Sequence, residues 1–284
     1  MRRHQLDIQL KTPEQIDRMR QAGLVVAKAL AAMRAAVAPG VTTADLDAIA
    51  ESVIRDAGAV PSFKGYHGFP GSICSSVNEQ VVHAIPAPEQ VLREGDLISL
   101  DCGAILDGWH GDAAITVGVG AVDPALLRLA SVAEDAMWAG IAAAARGVVN
   151  GRGRLTDISH AVEKAVRAAD RPYGIVDGYG GHGIGTEMHQ DPHVLNHGRP
   201  GRGIKLVPGL CLAIEPMITM GSPRTVELPD GWTVVTRDGS VAAHVEHSIA
   251  LLPDGVWVLT APDGGRERLG PLLTARAEAA STPS

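Results

Sequence analysis

Apolar residues recur at spacings of three and four from Ile16 through Met19, Gly23, Val26, Leu30 and Met33, a stripe that predicts a helix packed on a core. Thr12-Pro13-Glu14-Gln15 opens it with a capping hydroxyl, a proline at the first helical position and a glutamine three residues after the cap; Pro39-Gly40 closes it. A second helix is expected from Thr42 or Thr43 to about Asp56. Asp123-Pro124 starts a third that continues towards Ala145, and Thr156 starts a fourth that ends before Arg171-Pro172.

Between these helices the period changes to two. Leu97 to Cys102, Leu210 to Ile214 and Val241 to Leu252 read as strands. Two helices, strands, two helices, strands: the order suggests two similar halves around a mixed or antiparallel sheet. No Pro/Ser-rich linker separates the halves, so residues 1–262 are expected to form one domain. The stretch 263–284, rich in Ala, Arg, Gly and Pro, reads as a poorly ordered tail.

One hairpin carries chemistry. Strands 97–106 and 109–117 meet at Asp107-Gly108, the dipeptide favoured in a two-residue type I′ loop. That loop pairs Leu106 with Trp109 and therefore Gly103 with Asp112, with Asp101 two residues from Gly103 on the same face. The two carboxylates become diagonal neighbours with Cα atoms about 7–8 Å apart, and Gly103 is expected to leave the space between them empty. Two bare carboxylates on a buried face repel and raise one another's pKa unless a cation joins them. Taken alone, the hairpin is equally compatible with two solvent-facing aspartates.

The second half favours the cation. Glu215 ends an apolar strand and is held extended by Pro216, sharing a face with Cys211 and Ala213. Glu246 lies within Ala242 to Ile249, again in a core-like strand. Four such carboxylates are hard to bury without metal. Among the histidines, His182 sits in Tyr179-Gly180-Gly181-His182-Gly183-Ile184-Gly185, where the glycines let it approach a metal closely; no strand-to-helix transition supports a phosphate loop. His189, seven residues after His182, is a further candidate, at a spacing that disfavours a zincin pair four apart on a helix, and His83 is another. His110 could support the hairpin site, while His67, His244 and His247 stay undecided and His4, His160, His193 and His197 read as structural or solvated.

Composition adds limits. The 284 residues are 45% hydrophobic and 20% charged, a globular balance, and the net charge of −7 argues against broad nucleic-acid binding. There is no apolar run long enough to span a membrane, and Met1-Arg2-Arg3-His4 leads into polar sequence without a signal-like apolar segment. Cys74, Cys102 and Cys211 form no paired framework, which fits a reducing, cytoplasmic setting. No nucleophile elbow is present, which excludes a serine hydrolase of that design.

Taken together, Lys11 to Gln15, Gly65 to Pro70, Ser76 to His83, Asp101 to Asp112, His182 to His189, Ile214 to Met217 and Val245 to His247 resemble the type I methionine aminopeptidases of peptidase family M24, over roughly Ile8 to Leu259. The resemblance implies the pita-bread α+β fold, pseudo-two-fold halves with helices on a curved, mainly antiparallel sheet. It implies two divalent ions, with Co, Mn, Fe and Zn as candidates, held by Asp101, Asp112, His182, Glu215 and Glu246. It places His83 near the scissile amide nitrogen, His189 on the carbonyl oxygen and Glu215 as the proton shuttle. Cys74, Tyr66, Phe69, Phe63 and Trp232 would form the methionine pocket, with Met188 where many relatives carry an aromatic. The implied substrates are nascent-chain N-termini with a small second residue; monomer is the family's default state, and transient ribosome association is left open. Two rivals remain at this stage. Proline-specific relatives share the five ligands but carry an extra N-terminal domain, and non-catalytic relatives typically lose ligands that are all present here.

Overall fold

The computed structural model describes residues 7–270; residues 1–6, with His4 and the start of the polar N-terminus, and residues 271–284 of the expected tail lie outside the described residues. Helix α1 (Pro13–Ala36) starts as its sequence dictates: Thr12 accepts from the Gln15 N–H, and the Gln15 side chain caps the Thr12 N–H in return. Helix α2 (Thr43–Asp56) repeats the device with Thr42 and Asp45. Helix α3 (Pro124–Val149) runs a turn beyond its expected end, and α4 (Leu155–Arg167) begins one residue before Thr156, with Asp157 reaching back to the Arg154 N–H.

A nine-stranded sheet forms the frame, every described pair in it antiparallel. Helices α1 and α2 cover its first half, burying Val26, Leu30, Leu46 and Ile54 against Ile98, Leu100, Cys102 and Ala113. Helices α3 and α4 cover the second half, burying Ile141 and Ile158 against Leu212, Ile214, Ile249 and Leu251. Alternation along the strands turns Cys102 to the helices and Asp101 to the other face. The helix-free face holds the polar chemistry.

Strand Glu246–Leu252 joins the halves, pairing with Trp109–Gly118 on one side and Cys211–Ile214 on the other. The single strand expected from Val241 to Leu252 is in fact two. Ala242–His244 belongs to a separate three-stranded sheet with Met217–Thr219 and Gly174–Ile175, and Val245 is the break. Its partner breaks at the same level, between Cys211–Ile214 and Met217–Thr219, where Pro216 has no N–H to give a ladder.

Helix α1 and the sheet approach closely at two glycines. A Cβ on Gly111 would lie 2.7 Å from the Gly23 nitrogen, and one on Gly23 would strike the Leu259 carbonyl. Gly23→Ala is therefore expected to cost about 2 kcal/mol through forced backbone separation, read as a lower Tm in thermal unfolding; an unchanged Tm would mean that α1 can shift freely. Asp263 caps the turn at Gly265, and Arg266–Leu269 forms a short helix whose Arg268 pairs with Asp135 at 2.9 Å, so residues 263–270 of the expected tail are folded onto α3. No helix among the described residues is long and apolar enough to cross a membrane.

Candidate metal centre

The hairpin has the register its turn dictates: Leu106 faces Trp109, Gly103 faces Asp112 and Asp101 faces Ala114. Ala114 in turn faces Glu246. Across the next gap, Ile214 faces His247 and Met217 faces His244, the same register on both sides of the strand break, so Glu215 stands opposite Glu246. Cys74 faces Asp101 at the far end. One row thus crosses five neighbouring segments, Cys74, Asp101, Ala114, Glu246 and Glu215, and directly facing residues share a face of the sheet. Asp112 lies two residues from Ala114 on that face. Gly183 faces Leu212, which sets His182 opposite Ala213 beside Glu215.

Gly103 does not leave the expected gap. A Cβ there would lie 2.8 Å from the Phe63 ring and 2.9 Å from Ser62 Cβ, so these side chains fill the space and bring Phe63 to the cavity. The glycines around His182 likewise make room for neighbouring main chain: a Cβ on Gly181 would strike the Ala213 carbonyl, and one on Gly183 the Asp191 carbonyl. The loop carries strand Gly181–Gly183 and turns into strand Gln190–Val194, with no helix behind it.

All twelve side chains expected in the site line one cavity of about 300 Å³, joined by His67 and Met188. One end is ionisable. Asp112, His182, Glu215 and Glu246 are buried. Asp112, His182 and Glu246 bring ligand atoms within 4.8 Å of one another, as do Glu215, His244 and Glu246, so the two groups share Glu246. The other end is apolar: Phe63, Phe69, Cys74 and Met188 are buried together with Tyr66 and Trp232 against them, and Phe69 meets Trp232 edge-on at 5.1 Å. The histidines lie between. Tyr66 Oη and His189 Nδ1 are 2.8 Å apart, and the His189 ring lies 4.4 Å from that of His182. His83 has a left-handed backbone, φ 60°, and its ring stacks edge-on with Tyr179 at 5.8 Å. A non-glycine residue held there bears about 1 kcal/mol of strain.

His244, undecided from sequence, is buried with its Nε2 3.4 Å from Glu215 Oε2. Its spacing of two from Glu246 gave no signal, because the expected continuous strand would have put both on one face without showing where the sheet breaks. His110 bonds to Ser62 Oγ at 3.2 Å and supports the wall rather than the cluster; His247 lies on the helix side, bonded to Thr260 at 2.8 Å.

The electrostatics are those of a cation site. Burial pushes Asp101 up to about 7, helped by the Glu215 carboxylate. Asp112 rises well above the carboxylate range through burial and the charges of Asp101 and Glu215, Glu246 through burial and the charges of Asp112, Glu215 and Asp101, and Glu215 through burial. Burial lowers His182 to about 3 and His83 to about 4, leaving neutral imidazoles with lone pairs to share. Asp101 Oδ1, Asp112 Oδ1, Glu246 Oε1 and His244 Nε2 are all buried without a hydrogen-bond partner. Buried acceptors of this kind need a counter-charge, and divalent ions fit the donor set.

A carboxylate- and imidazole-lined cavity with an apolar pocket, on a curved antiparallel sheet backed by two helix pairs, defines a metal-dependent hydrolase of the pita-bread type. The chain belongs to metallopeptidase family M24, whose family model matches residues 17–252. It is 56% identical over 250 residues to methionine aminopeptidase 1 of Mycobacterium tuberculosis, covering 87% of this chain and 92% of that one. To the methionine aminopeptidase of Clostridium acetobutylicum it is 50% identical, covering 88% and 98%. The crystal structure of the Thermotoga maritima methionine aminopeptidase superposes with a TM-score of 0.85 at 40% identity, over 89% of this chain and 99% of that one. A Xaa-Pro dipeptidase of Bacillus anthracis shares the fold at 20% identity and a TM-score of 0.68, but the match spans only 61% of its length.

Proposed function

We propose that this chain removes the N-terminal methionine from newly made proteins whose second residue is small, acting as a monomer in the cytoplasm. The carrying observation is the cavity itself, with an ionisable cluster at one end and a sulfur-compatible apolar pocket at the other. Asp101, Asp112, His182, Glu215 and Glu246 would hold two divalent ions, which supply Lewis acidity and a water acidified towards neutrality. The mixed oxygen and imidazole set suits Mn, Fe, Co or Zn.

The chain's own groups do the rest. Phe63, Phe69, Cys74, Trp232 and Tyr66 receive the methionine side chain, with Met188 as an adaptable wall. Glu215 takes the proton of the attacking water. Tyr66 Oη donates to His189 Nδ1, which fixes the proton on Nε2 and aims a donor at the carbonyl oxygen as it gains charge. Glu215 then delivers the water's proton to the leaving amine, and His83, held neutral by burial, assists by hydrogen-bonding at the amide nitrogen.

Release of methionine from Met-Ala-Ser and Met-Leu-Ser, across a metal series and beside an Ala-Pro-Ala control, tests the assignment. Cleavage of Met-Ala-Ser with little of the other two is expected; preferred cleavage of Ala-Pro-Ala would replace it with a proline-specific reading. Tyr66→Phe removes one hydrogen bond from His189 and is expected to lower kcat about tenfold with KM nearly unchanged. Unaltered kcat would separate His189 from carbonyl activation.

A further inference from the structure

Glu215 is bracketed by two imidazoles. His182 Nε2 lies 3.5 Å from Glu215 Oε1, and His244 Nε2 lies 3.4 Å from Glu215 Oε2. Neither carboxylate oxygen is engaged in a direct hydrogen bond by its neighbour; among the described residues, His244 Nε2 is the imidazole nitrogen that is buried and unpartnered. Its donor atom falls within 4.8 Å of those of Glu215 and Glu246.

The imidazole is carried on fixed main chain. The His244 N–H is shared between Ser99 Oγ and Thr116 Oγ1, each at 3.1 Å, and the His244 carbonyl accepts from Thr116 Oγ1 at 2.7 Å. The strand pairs His244 with Met217 on the other side of the break. The main chain is held on both flanks, and the ring it carries is buried. A buried nitrogen in that position is best satisfied by a cation shared with the two glutamates.

We propose that His244 is a further metal ligand, binding an ion together with Glu215 and Glu246, so that the centre holds two imidazoles, from His182 and His244. The proposal rests on the metal centre described above. A second imidazole moves the donor set towards borderline metals, favouring Fe, Co and Zn over Mn.

Counting imidazoles tests it without reference to turnover. The full chain, stripped of metal, is loaded with two equivalents of Co(II) and studied by X-ray absorption and visible spectroscopy. Two bound imidazoles per chain are expected in the wild type and one in His244→Gln, with Co(II) affinity weaker by about tenfold or more. His244→Asn is measured alongside, and thermal unfolding of both metal-free variants identifies one that is folded. One imidazole in the wild type, or superimposable Co(II) spectra and affinities in wild type and a folded variant, would overturn the role of His244 while leaving the metal centre intact. Failure of the wild type to take up Co(II) at all would instead remove the metal centre.

Discussion

Glu215→Gln is expected to reduce methionine release by about a hundredfold to ten-thousandfold, the range for losing a positioned general base, while leaving the fold unchanged. Glutamine keeps the volume between His182 and His244 and keeps a carbonyl oxygen for a cation. What it loses is the ability to take a proton. The main chain stays in place, because Asn196 Nδ2 donates to the Glu215 carbonyl at 3.0 Å and Pro216 keeps the residue extended. Stability of the metal-free protein should not fall, since the substitution removes a buried ionisable group facing Glu246. Turnover, bound metal and Tm are measured on the same preparation. Near-full turnover with metal bound would sink the base assignment.

Metal affinity is expected to rise with pH between about pH 5 and about pH 8, by about tenfold per pH unit for each proton displaced. In the metal-free chain the folded-state pKa of Asp101 is about 7, and those of Asp112, Glu215 and Glu246 are also raised well above the ordinary carboxylate range, chiefly by burial. These groups are protonated when folded at a pH where they would be ionised when unfolded. Their contribution to stability is therefore full below the ordinary carboxylate values and is lost as pH climbs through the folded ones. A divalent ion demands the ionised forms, so its stabilisation runs the opposite way, small in acid and growing through neutrality. His182, lowered to about 3, is already neutral and adds no slope over this range. Calorimetric Mn(II) or Co(II) titrations in two buffers of different ionisation enthalpy count the protons released. Flat affinity from about pH 5 to about pH 7 with no release would exclude the carboxylate cluster as the binding site.

Local rules carried the hairpin. Asp107-Gly108 sets the register of Asp101 and Asp112 with no help from the rest of the fold, and the pairing of Gly103 with Asp112 follows from the turn alone. The cap of α1 was legible for the same reason, being a contact over three residues. The filled space beside Gly103 was not, because Ser62 and Phe63 arrive from a segment with no sequence link to the hairpin. Nor was the break at Val245. The stretch from Val241 to Leu252, with no Gly or Pro in it, carries no mark of a change of sheet, and the break is visible only when the matching discontinuity at Glu215-Pro216 lies beside it. That is why His244 could not be assigned from the chain alone.

Strand Glu246–Leu252 seams the two halves together yet follows both of its flanking strands in sequence. During synthesis, α1, α2 and the aspartate hairpin emerge long before it, and both flanking strands wait with an open edge until it arrives. Two of the row's carboxylates meet only at that moment, so the cavity is assembled last and at once, by contacts between residues far apart in sequence. A chain interrupted before Glu246 is left with two unjoined sheet edges, the kind of surface that recruits foreign strands. The seam makes quality control a property of the topology: a working cavity exists only once synthesis has passed Leu252.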